Sequence, residues 1–186
     1  MNFATLFRTK ENLNLDKKTL TFLRYIAIFG QFLAINIVYF YLDLPFPIFA
    51  SYIIISIGLF TNLYLQFGIK INQLKDLYAS VFLTYDLLQL SLLLYLTGGI
   101  FNPFSFLLII PAIVSSTFLS MGTTIILGII TSSLLFFISF YHLPLPGEDM
   151  NLLHFPNFYK IGIIISILIG LRFLGYFGIR FAGEKK

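Results

Sequence analysis

The chain contains no cysteine. Disulfides, thiolate-held zinc, iron–sulfur centres and thiol switches are therefore excluded within it. Charge is scarce as well, at 11% of the 186 residues against 58% hydrophobic. A soluble domain needs about a quarter charged residues for its solvated surface. This balance, with a mean hydropathy of +0.91, reads instead as an all-α, multi-pass membrane protein. Histidine is limited to His142 and His154. Both lie near prolines with no second ligand pair, so they read as ordinary loop residues rather than metal or haem ligands. No nucleophile–base pair or metal cluster is legible, and no catalytic residue is assigned. A cleavable signal peptide is not expected either. The first apolar run, residues 20–42, is too long for a signal h-region and has no small-x-small cleavage site.

What the chain has is six apolar segments, at residues 20–42, 46–68, 77–97, 104–120, 123–141 and 158–180. Each is near the roughly 20 residues that cross a bilayer as a helix. They form one transmembrane domain, 20–180, between a polar N-terminal segment, 1–19, and a short stub, 181–186. Pro45 and Pro47 open the second segment, where a missing N–H costs little. Pro111 lies inside the fourth and should kink it. The fourth and fifth meet at Met121-Gly122 in a tight hairpin. If the N-terminus is cytoplasmic, 11 of the 12 basic residues fall on or nearer the inner side, with Lys160 the exception. The positive-inside rule thus gives six transmembrane helices with both termini cytoplasmic. It also explains the pI of 9.3, so no nucleic-acid partner is expected. Small residues recur every fourth position at Ala112, Ser116 and Ser120, at Thr124, Gly128 and Ser132, and at Gly162, Ser166 and Gly170. Stripes of this kind let helices approach closely, so a close-packed C-terminal half is expected.

Polar residues inside the apolar segments are few. Asp86 and Gln89 are three apart on the third helix and share a face. They are either a structural pair satisfied by a neighbouring helix or a functional acid facing a ligand or proton. Arg24, close to its helix start, can snorkel to the headgroups. Arg172 and Asp86 lie at about 12 and 13.5 Å from the same face, by about 1.5 Å per residue. Their matching depth makes a buried ion pair as reasonable as snorkelling. The third helix ends at Gly98-Gly-Ile-Phe-Asn-Pro-Phe104. These residues make a good turn, with glycine for positive φ, Asn for local hydrogen bonds and Pro to start the next helix. The same residues could serve a ligand: glycines admit it to backbone, Asn102 donates, and Phe101 or Phe104 stacks on a flat ring.

With these residues in view, the chain resembles the transmembrane sensing region of the RegB/PrrB family of redox-responsive sensor histidine kinases. The likeness runs through Leu23-Arg-Tyr-Ile-Ala-Ile-Phe-Gly-Gln31, Asn62, the stretch Asp86 to Gly99, Asn102-Pro-Phe104 and His142-Leu-Pro-Leu-Pro146. The family hallmark Gly-Gly-x-x-Asn-Pro-Phe is matched in full at 98–104. The resemblance implies a six-helix sensor in the bacterial inner membrane that binds ubiquinone, without metal or haem. Its site would be Gly98, Gly99, Asn102, Pro103 and Phe104, with Phe101, Asp86 and Gln89 as weaker members. It also implies a homodimer whose sixth helix signals inward to a kinase core and, through it, to a response regulator. This chain carries no phosphoacceptor His followed by Glu and no Gly-rich nucleotide loop, so no kinase activity of its own is expected. It reads as a sensor module, a fragment of a kinase or a stand-alone relative. A small transporter or channel with Asp86 as coupling acid is the rival reading.

Overall fold

The computed structural model describes residues 15–146 and 156–184, with side chains through Tyr176. All six apolar segments are helical. Helix α1 (Lys17–Asn36) and helix α2 (Ile48–Leu63) each widen into a π-helical last turn, Ile37–Tyr41 and Tyr64–Gly68. Then follow α3 (Asp76–Leu96), α4 (Ile110–Phe118), α5 (Met121–Phe140) and α6 (Asn157–Glu184). Two 3₁₀ turns, Gly99–Phe101 and Pro103–Ile109, lead from α3 into α4.

Among the described residues, five helical stretches are long and apolar enough to cross a membrane, while the fourth, Pro103–Phe118, is shorter. Its seven 3₁₀ residues rise by about 2.0 Å each and its nine α-helical residues by about 1.5 Å, giving a length of about 27 Å. Pro111 explains the mixture. It has no N–H to bond back to Leu107, and the Ile110 N–H takes the Leu107 carbonyl instead, in the tighter pattern. Pro111 therefore sits in the first turn of α4, where it is tolerated. The expected kink appears as a change of helix type.

Antiparallel connections bring alternate helix ends together. At one end, a two-residue strand pair joins Leu15–Asp16 to Gln73–Leu74. Lys17 donates its backbone N–H to the Asn72 carbonyl at 2.8 Å, and its ammonium bonds the Gln66 and Ile69 carbonyls at 3.1 and 2.7 Å. At the same end, the Asp76 carboxylate accepts the Ser120 N–H and hydroxyl at 2.7 and 2.9 Å, and the Thr123 hydroxyl as well. The opposite end carries the 42–47 loop, the 97–102 turn and the 141–146 segment.

The larger core lies among α3, α4, α5 and the turn between α3 and α4, built from Leu83, Leu87, Leu94, Ile100, Leu108, Leu127, Leu135 and Ile138. A smaller cluster, Ile28, Ile35, Ile55 and Leu93, joins α1, α2 and α3. Helix α6 lies chiefly on α4 and α5, burying Ile167 and Leu171. The small-residue stripes divide accordingly. Ala112, Ser116 and Thr124 are buried, but Gly162 and Ser166 are exposed, with nothing near where a Cβ at Gly162 would stand. Branched apolar side chains, not the small stripe, seat α6.

Candidate functional site

The residues singled out in the sequence fall in two polar regions, one inside the α1–α2–α3 half and one at the turn between α3 and α4. In the first, Arg24 is the centre. Its Nε donates to Asp86 Oδ1 at 2.8 Å and its Nη2 to Thr61 Oγ1 at 2.9 Å. The guanidinium lies over the Phe82 and Tyr85 rings, 5.2 and 5.5 Å from their centroids, a favourable cation–π arrangement. Arg24 is only 3% exposed, so it does not snorkel. Arg172 is exposed on α6. The expected Asp86–Arg172 pair is therefore corrected: Asp86 pairs with Arg24. Depth alone suggested the wrong partner, because α6 packs away from α3 while α1 stands within side-chain reach of it.

One turn further along α3, Gln89 donates to Gln31 Oε1 at 2.9 Å. Gly58 on α2 leaves room for this, since a Cβ there would stand 2.5 Å from the Gln89 amide. Towards the ends of the seam, Tyr25 bonds Gln66 at 2.5 Å and Tyr52 bonds Asn36 at 2.8 Å. Asp86 and Gln89 do share a face, and both spend it on α1. A polar side chain in hydrocarbon is stable only when paired, and here the pairing fastens α1 to the rest.

The second region is the turn. Gly98 and Gly99 have φ of +106° and +58°, the left-handed region that glycine enters without steric cost. A Cβ on Gly98 would strike Leu145, and one on Gly99 would strike the Ile138 carbonyl and the His142 ring. The glycines thus admit α5 and the 142–146 segment, which is tied down by the Leu143 N–H to the Tyr95 carbonyl at 2.8 Å. Asn102 caps the 3₁₀ turn that Pro103 begins. Its Oδ1 accepts the Phe104 N–H at 2.8 Å, and its Nδ2 donates to Thr97 O and Oγ1 at 3.0 and 2.7 Å. The Thr97 hydroxyl donates to the Leu93 carbonyl, and the Ser105 hydroxyl to the Ile100 carbonyl.

Around this closed network sit rings. Phe101 meets the His142 imidazole edge to face, with centroids 5.7 Å apart. Pro103 and Phe104 are exposed, Phe104 by 45%. The structure therefore brings Gly98, Gly99, Phe101, Asn102, Pro103 and Phe104 together, while Asp86 and Gln89 belong to the separate seam. Sequence reasoning missed Thr97 and His142. Thr97 directly precedes the two glycines, and His142 stood within the matched loop but read as an ordinary loop residue. His154 lies outside the described residues.

No family model and no solved structure matches the chain. Two sequences of the sensor histidine kinase RegB of Cereibacter sphaeroides do, each 37% identical over 168 residues, which is 90% of this chain. The chain spans 36% of the length of those relatives. Over the stretch that matches, the chain belongs to the RegB/PrrB family of sensor histidine kinases.

Proposed function

We propose that this chain is the membrane input region of a redox-responsive sensor histidine kinase and that ubiquinone docks at the Gly98–Phe104 turn. The carrying observation is the position of that turn. Its exposed Pro103–Phe104 rim offers a ring face and an open flank for an isoprenoid tail, and the same turn packs directly on α5 and α6. A ligand there would press on the helix that runs to the opposite end of the bundle. In this reading the helices cross the bacterial inner membrane six times with both ends cytoplasmic. The protein works as a homodimer, and phosphotransfer to a response regulator falls to a kinase core outside the matched stretch. Asn102 positions the turn rather than meeting the ligand, since its amide is fully engaged.

Titration of ubiquinone into the purified protein in detergent or nanodiscs tests the reading. Saturable binding is expected, and Phe104→Ala should weaken it about five- to tenfold through loss of one ring contact worth about 1 kcal/mol. Absence of saturable binding, or unchanged affinity in a well-folded Phe104→Ala protein, would return the motif to a purely structural turn.

A further inference from the structure

The end of the bundle that carries Asp76 is closed by a clasp rimmed with lysines. The strand pair sets Leu15–Asp16 against Gln73–Leu74, and the Lys17 N–H bonds the Asn72 carbonyl. Two segments far apart in the chain are thereby fixed side by side, and each brings cations. Lys17 spends its ammonium on the Gln66 and Ile69 carbonyls. Lys18, Lys70 and Lys75 are exposed, and each lies within three residues of the Lys17–Asn72 contact. None of the three forms an ion pair among the described residues. Acid is sparse around them. The Asp76 carboxylate is taken up by Ser120 and Thr123, which leaves Asp16, exposed in the strand pair, as the opposing charge among the described residues of the clasp. Like charges gathered in this way repel one another unless a counter-charge sits among them. One step towards the bundle the surface turns apolar. Phe22 lies one helical turn along α1 from Lys18, Phe67 three residues before Lys70, and Tyr78 three residues after Lys75, and all three rings are exposed.

We infer that Lys18, Lys70 and Lys75 bind the headgroup of an anionic phospholipid, whose acyl chains lie along Phe22, Phe67 and Tyr78. Cations with exposed rings beside them match a phosphate that carries apolar chains. A phosphodiester accepts hydrogen bonds from the ammonium groups and cancels their repulsion. A zwitterionic headgroup brings its own cation and gains less. The bound lipid bridges the start of α1 to the α2–α3 loop, where the strand pair supplies only two residues from each side, so it should also strengthen the clasp.

The test offers the purified protein an equimolar mixture of phosphatidylglycerol and phosphatidylcholine with identical chains, and mass spectrometry measures which lipid stays bound. Wild type should favour phosphatidylglycerol by about ten- to a hundredfold, since attraction to an anionic surface is worth about fivefold per lysine. Replacing all three lysines (Lys18→Gln, Lys70→Gln, Lys75→Gln) should abolish that preference. The matching triple Lys→Arg variant should keep it, Asp16→Asn should raise it, and Lys160→Gln, at the opposite end of the bundle, should leave it unchanged. A triple Gln variant with wild-type selectivity overturns the inference, as does a wild type that retains both lipids alike. Glycerol 3-phosphate in excess separates a lipid from a free anion. It should not displace the lipid, and displacement would make the surface a soluble-phosphate site and overturn the lipid assignment. Should the triple Gln variant misfold, salt decides on wild type. The preference should fall steeply as ionic strength rises, and a preference indifferent to salt overturns the role of the lysines.

Discussion

Arg24 is held inside the bundle by a carboxylate, a hydroxyl and two ring faces, yet its Nη1 still has no partner among the described residues. A buried guanidinium is costly, so the Asp86 contact compensates a penalty more than it adds stability. Removing one partner of such a pair typically costs about 3–5 kcal/mol because the other charge is stranded. Asp86→Asn and Arg24→Gln should each lower resistance to unfolding by that order, and the double variant should lose clearly less than the sum. SDS-titration unfolding of the four proteins measures this, and strictly additive losses would reject the pairing. Arg172→Gln serves as the control. Its exposed side chain should change stability by about 0.5 kcal/mol or less, independently of Asp86.

The turn between α3 and α4 behaves as a small element with its own internal logic. Its glycines differ in what they face. The space beside Gly99 is closed by a backbone carbonyl, that of Ile138, which cannot rotate away. Gly99→Ala also forces a side chain into positive φ, so it should destabilise by at least the ~1–3 kcal/mol expected of such strain. Gly128→Ala, with open space beside its helix where the new methyl would stand, should cost nothing. Thermal midpoints in one detergent compare the two, and equal losses would deny the close packing at Gly99. Asn102 is the second hinge of the element. Asn102→Ser keeps an acceptor for the Phe104 N–H but loses the donor to Thr97. It should therefore retain more stability than Asn102→Ala, which loses all three bonds, by about 1 kcal/mol. Equal midpoints would show that the cap contributes little.

At the scale of the whole molecule, the strand pair and the Asp76 cluster gather the start of α1, the α2–α3 loop and the α4–α5 turn at one end. Basic residues crowd the same end, with Lys17, Lys18, Lys70 and Lys75 all there. By the positive-inside rule we expect this end to face the cytoplasm. Cysteine labelling tests this against a clean background, because the native chain has no cysteine. In intact cells, an impermeant maleimide should label Pro45→Cys and Pro144→Cys but reach Lys70→Cys and Lys75→Cys only after the membrane is opened. The reverse pattern would invert the molecule.

Much of this protein was legible in one dimension. Six apolar runs, their spacing and the residues that stop them specify the helices, since hydrocarbon forces each backbone to satisfy its own hydrogen bonds locally. Helix ends agree with the sequence reading to within a few residues, and the turn at Gly98-Gly99 follows from glycine's access to positive φ. Height along a helix was legible too, because rise per residue is constant. Neighbourhood was not. Which helix faces Asp86 depends on lateral packing, and a polar face on one helix does not say which helix it meets. Arg172 had the right depth on the wrong side, while Arg24 lay one long side chain away. His142 is the same case: only the fold laid its loop over Gly99. The sequence determined the helices and the heights of residues along them, and tertiary packing decided which polar groups meet, because partners far apart along the chain are chosen by contact rather than by period.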